Sequence, residues 1–95
     1  MSLEELVLKY IASVESAFGK MDVSEASVNV GVNDVSRVVE LAKAYLNDAK
    51  YYMSQKRFEV SLASVAYCEG LLDALKILGA VEFEWPAKKK IESEK

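Results

Sequence analysis

Histidine is absent from this chain of 95 residues. Its absence removes serine–histidine and cysteine–histidine nucleophile pairs, the usual acid–base group near neutral pH, and most transition-metal sites. Cysteine occurs once, as Cys68. No disulfide can close within the chain, which fits a reducing compartment. Unpaired and central in an apolar stretch, Cys68 reads as a small core or boundary residue, inert because it is buried. No glycine-rich loop precedes a helix, so there is no phosphate cradle of the Walker or Rossmann kind. No apolar run approaches the ~18 residues of a membrane span. The start of the chain carries Glu4 and Glu5 in place of the basic residues of a secretory leader. A cytoplasmic protein with no cofactor is expected.

A basic excess is also missing. The net charge is −3. Residues 1–87 hold eight bases and thirteen acids, whereas residues 88–95 hold four lysines and two glutamates. An acidic body repels a phosphate backbone, so no nucleic-acid partner is expected. The run Lys88, Lys89 and Lys90 reads as part of a solvated, disordered tail. What the chain does have is apolar bulk: 52% of residues are hydrophobic and only one is proline. That suits one folded domain over residues 1–87 and argues against general disorder.

Apolar positions step by three and four from Leu3 through Leu6, Val7, Tyr10, Ile11, Val14, Ala17 and Phe18. This spacing lays one stripe along a helix over 3–18. Ser2 with Glu5 has the form of a capping box, and Gly19 is placed to end the helix. Between residues 20 and 34, Val28, Val30 and Val32 alternate with polar or small residues, but a lone strand has no partner here. An ordered loop is expected, with a helical turn near Ser24–Ala26. A second helix follows over 35–54, capped by Asn33, Asp34 or Ser36. A polar turn of three residues then makes a third helix, over 58–78, its antiparallel neighbour.

The third helix is apolar on two sides. Val60, Ala63, Tyr67, Gly70, Leu71 and Ala74 share one broad face at ~100° per residue. Phe58, Leu62, Val65 and Leu72 lie off it, which marks the helix as central. Gly70 within it predicts a close helix crossing or, less often for such a glycine, a place lining a ligand site. Gly79 should stop the helix, after which Val81, Phe83 and Trp85 alternate with Glu82 and Glu84 in an extended segment packing back on the bundle. The fold expected is all-α: a small antiparallel three-helix bundle.

Two stretches carry a family likeness. Asp48-Ala49-Lys50-Tyr51-Tyr52-Met53 precedes a short turn and Phe58. Tyr67-Cys68-Glu69-Gly70-Leu71-Leu72-Asp73-Ala74-Leu75 precedes Leu78-Gly79 and Phe83-Glu84-Trp85. Over residues 35–85 the chain resembles the archaeal family called domain of unknown function 357. The resemblance implies a compact helical bundle, an archaeal source and no assigned catalytic residue. The turn Ser54-Gln55-Lys56-Arg57 stands where that family commonly has a Gly-Asp pair. The second and third helices also look like one tetratricopeptide-type hairpin, through Ala42, Tyr45, Phe58 and Ala63. A single unit cannot stack as such repeats do, so this likeness concerns shape.

Candidate chemistry is confined to the third helix. Glu69 and Asp73 lie four apart, so both carboxylates leave one face. Hard cations such as Mg²⁺ take carboxylate oxygens, and some all-α nucleotide pyrophosphohydrolases use helix-borne acids, but those need more acids on a second helix. Glu40 and Asp48 are too sparse to supply them. The simpler reading makes the pair solvated or hydrogen-bonded, with Glu69 and Asp73 only weak metal candidates. Phe58, Leu62, Glu69, Asp73 and Trp85 instead suggest an interaction surface. The expected function is a non-catalytic interaction or scaffold domain that binds a protein partner or itself as a homodimer. The alternative is a Mg²⁺-dependent enzyme acting on a nucleotide.

Overall fold

In the computed structural model, which describes residues 1–86, Ser2 caps the first helix in the way its spacing to Glu5 dictates. Ser2 Oγ accepts from the Glu5 amide and the Glu5 carboxylate accepts from the Ser2 amide, each at 3.1 Å. Helix α1 runs Leu3–Lys20. Gly19 lies inside it. The chain leaves through Met21 in an extended conformation, φ −79° and ψ 133°, so no left-handed residue is needed at this end.

Residues 21–31 are a connection without helix or strand, in which Ser24 Oγ bonds the Ala26 amide at 3.3 Å. Helix α2 spans Val32–Ser54, three residues earlier than the stripe alone predicts. Gly31 is the N-cap, and its carbonyl accepts from the Asp34 and Val35 amides. Asn33 and Asp34 therefore sit inside the first turn. There Asp34 places negative charge at the positive end of the helix dipole.

Both ends of the α2–α3 pair close in the same way. At the end of α2, Arg57 donates to the Tyr52 carbonyl at 2.9 Å and Lys56 to that of Met53 at 3.0 Å. After α3, which spans Phe58–Ile77, Ala80 donates to Leu75 at 2.9 Å and Gly79 to Lys76 at 3.0 Å. Each is a Schellman motif, which needs one left-handed residue. Gly79 supplies it at φ 76°, and Lys56 supplies it at φ 60° despite its side chain.

Helices α2 and α3 pack as an antiparallel hairpin. Ser61 Oγ donates to the Ala49 carbonyl at 2.7 Å, and Tyr45 stacks on Tyr67 with centroids 4.3 Å apart. The partner number falls on α2 as it rises on α3, as opposed directions require. Among the described residues, Ala42, Ala49, Cys68 and Leu75 are the buried ones. Small side chains at three of those positions let the helices close on one another.

The all-α class and the three helices stand as read from the sequence. The C-terminal segment also packs back: Val81, Phe83 and Trp85 are half-buried, whereas Glu82 and Glu84 are exposed. Among the described residues α1 packs against neither α2 nor α3, and every residue of it is exposed. Among the described residues there is no strand, and no helix is long and apolar enough to cross a membrane. The lysine tail expected over 88–95 lies outside the described residues.

Candidate interaction surface

Three apolar regions lie open on this architecture. The first is the face of α1. Its stripe remains uncovered along its length, with Tyr10 64%, Val14 52% and Phe18 69% exposed. The same spacing that predicts a buried stripe thus builds an exposed one.

The second is one face of the hairpin, centred on the Tyr45–Tyr67 stack. Tyr67 is 52% exposed even though stacked. Leu41, one turn before Tyr45, is open as well. Around Tyr67, at three and four residues along α3, the exposed positions are Ala63, Gly70 and Ala74. A β-carbon placed on Gly70 would meet no atom within 4 Å. No helix of the described chain therefore makes the close crossing that Gly70 predicts. The residue lies in an open, shallow strip of small side chains.

The third region is the mixed face of α3. Phe58 and Leu62 are exposed, Glu69 and Trp85 are half-buried, and Asp73 is exposed. Asp73 Oδ1 accepts from the Trp85 indole Nε1 at 2.8 Å. Phe83 stands edge-on to Trp85, 4.8 Å between centroids, and Lys76 Nζ sits 5.0 Å over the Phe83 ring. Lys76 also reaches Glu84 at 3.7 Å. The extended segment thus occupies the Asp73–Lys76 end of the face and leaves Phe58 and Leu62 open at the other.

Of the five residues expected at an interaction surface, Asp73 and Trp85 are brought together directly. Phe58 and Leu62 share the helix and stand open. Glu69 lies between, one turn before Asp73. Its charge and the burial of Cys68 both push the Cys68 thiol up from its ordinary value, with burial the larger cause. A thiol so placed is a poor nucleophile.

The arrangement offers little to a cation. Among the described residues no three of His, Cys, Asp and Glu gather into a possible metal site. Glu40 pairs instead with Lys43 at 3.3 Å on the outer surface of α2. A shallow groove of about 500 Å³ runs between Lys76 and the residues from Gly79 to Glu84. A second, of about 630 Å³, lies where Val28, Val30 and Val32 meet Val35 and the Leu78–Ala80 turn. The alternating valines therefore line the open end of the hairpin.

A helical hairpin with an extended C-terminal strap and an uncovered amphipathic helix defines a small all-α module that presents apolar surface. The chain belongs to the family described as a protein of unknown function (DUF357), whose model matches residues 9–81. That match reaches back into α1 and takes in the connection and both helices of the hairpin. Comparison with curated proteins finds no match, and neither does comparison with solved structures.

Proposed function

We propose that this chain is a non-catalytic interaction module that binds a protein through its open helix faces. The observation that carries the reading is the uncovered stripe of α1. Exposed contiguous apolar surface on a small domain marks a contact with a partner. The aromatic residues on offer, Tyr10, Phe18, Phe58 and Tyr67, are of the kind that anchors protein contacts. With a cysteine kept as a thiol, the reading suits a reducing, cytoplasmic setting.

A photoreactive residue at Val14, introduced in the native host, tests it. The expected result is a discrete set of protein adducts that disappears when Ile11→Asp is added. Labelling of lipid or solvent alone would overturn the reading. The competing enzyme would need Glu69 and Asp73 to hold Mg²⁺. Titration of Mg²⁺ or Mn²⁺ should leave the melting temperature unchanged. A large upward shift that Asp73→Asn abolishes would favour the enzyme.

A further inference from the structure

Surface area shows how much contact the chain leaves unmade. A compact monomer of 10.5 kDa exposes about 5,400 Å², but this chain exposes 8360 Å². Residues 87–95 account for at most about 1,500 Å² of that, even at the unfolded-chain limit. The remaining excess is more than the ~800 Å² per partner of a stable interface. The radius of gyration agrees: 16.4 Å, where a compact chain of this length has about 12 Å.

Both halves of a helix–helix contact are present on the same chain, and they do not meet. α1 offers large side chains, Tyr10, Ile11, Val14 and Phe18. The hairpin offers a strip of small ones, Ala63, Gly70 and Ala74, beside the Tyr45–Tyr67 stack. Bulk on one helix set against small residues on another allows ridges to enter grooves at close range. The lengths match as well, since α1 has 18 residues and α3 has 20.

Charge supports the same pairing. At ~100° per residue, Lys9 and Lys20 flank the α1 stripe on one side, and Glu4 and Glu15 flank it on the other. The outer edge of the hairpin strip carries Glu59 on α3. Laid with its lysine edge toward α3, an incoming α1 sets that edge against Glu59.

α1 makes no packing contact with the chain's own hairpin. The connection between them runs past the hairpin's open end, where Val28, Val30 and Val32 line a groove. We propose that α1 is an exchanged arm. It seats on the Tyr45–Tyr67 face of a second copy, whose own α1 seats on the first. The exchange closes with two-fold symmetry and repeats one contact twice. This rests on the interaction reading above and names the partner as a second copy of this chain.

Sedimentation equilibrium of the full chain at high micromolar concentration tests it, using two variants. Ile11→Asp disables the arm, and Ala74→Glu disables the receiving face. Both positions are exposed, and Trp85 fluorescence checks that each variant keeps its hairpin. The expected wild-type mass is twice that of one chain, with each variant alone monomeric. An equimolar mixture of the two should sediment heavier than either, because one intact arm meets one intact face. If the mixture stays monomeric while wild type dimerises, the exchange is overturned. A monomeric wild type overturns it too, and hydrogen exchange then separates two cases. Fast exchange throughout α1 leaves its face open to a different protein, so the interaction reading survives. Slow exchange in a monomer places α1 on its own hairpin, and that reading falls as well.

Discussion

The indole Nε1–H of Trp85 donates to Asp73 Oδ1 across 2.8 Å, tying the extended segment to the solvent side of α3. Trp85 is the only tryptophan, so its emission reports this strap directly. Asp73→Ala removes the acceptor and should shift Trp85 emission to longer wavelength as the ring becomes wetter. The loss should be about 1 kcal/mol, near the ordinary net value of a hydrogen bond, because Asp73 is exposed. Asp73→Asn keeps an acceptor oxygen and should retain most of the emission position. Unchanged emission in Asp73→Ala would show that the strap is held by its other contacts, those of Lys76 with Phe83 and Glu84 among them.

Lys56 and Gly79 hold equivalent left-handed positions, at φ 60° and φ 76°. A side chain there costs roughly 1 kcal/mol or more. Lys56→Gly should relieve that strain and stabilise by about 0.5–1 kcal/mol, after allowing for the greater freedom glycine has when unfolded. Gly79→Ala should destabilise by about 1 kcal/mol through backbone strain alone, since a β-carbon there meets no atom within 4 Å. Chemical denaturation of the two variants beside wild type measures both. A destabilised Lys56→Gly would mean that the lysine side chain makes a compensating contact.

These positions also show how far the sequence could be read. The Ser2–Glu5 box and the Gly79 stop depend on neighbours a few residues away, so local spacing reveals them. The hairpin follows from a turn too short for any other arrangement. The alternation at Val81, Phe83 and Trp85 needs only a surface to lie on. The start of α2 was hidden because Gly31 caps it through its carbonyl, which leaves no side-chain signature. The placement of α1 was hidden for a deeper reason. An amphipathic stripe states that one face favours cover, but not which surface supplies it. Gly70 is the same case, because a small residue permits a crossing without naming the helix that crosses. Of the expected surface, the Asp73–Trp85 contact was approached through composition, and the open α1 face was missed because its stripe reads as core.

The hairpin seam gives a third prediction. Ser61 Oγ donates to the Ala49 carbonyl at 2.7 Å in a partly buried setting. Ser61→Ala leaves that bond unmade and should cost about 1 kcal/mol. In a domain of this size that lowers the melting temperature by roughly 4–8 °C. Ala49 is only 5% exposed and sits where the two helices close. Ala49→Leu should therefore cost roughly 1–3 kcal/mol by forcing the helices apart. Melting followed by Trp85 emission should show each of these falls in midpoint.

The last prediction concerns the start of α1. Glu5 is held below its ordinary value of 4.5, chiefly by the backbone hydrogen bond from Ser2 and then by the Ser2 side chain. A depressed carboxyl stabilises the folded form when ionised. Its contribution is therefore complete above the ordinary glutamate value and is lost as pH falls through the lowered one. An 18-residue helix without tertiary cover is marginal in water, so its cap should govern how often its first turns form. Lowering the pH through this window should increase hydrogen exchange at the first turns of α1, relative to the intrinsic rate at each pH, before α2 and α3 respond. Ser2→Ala should produce part of the same fraying at neutral pH, and Glu5→Gln, which has no carboxyl to protonate, should remove the pH dependence. If α1 stays protected through the window while the hairpin is intact, a surface rather than the cap is holding it. In the dimer, that surface would be the second copy's hairpin.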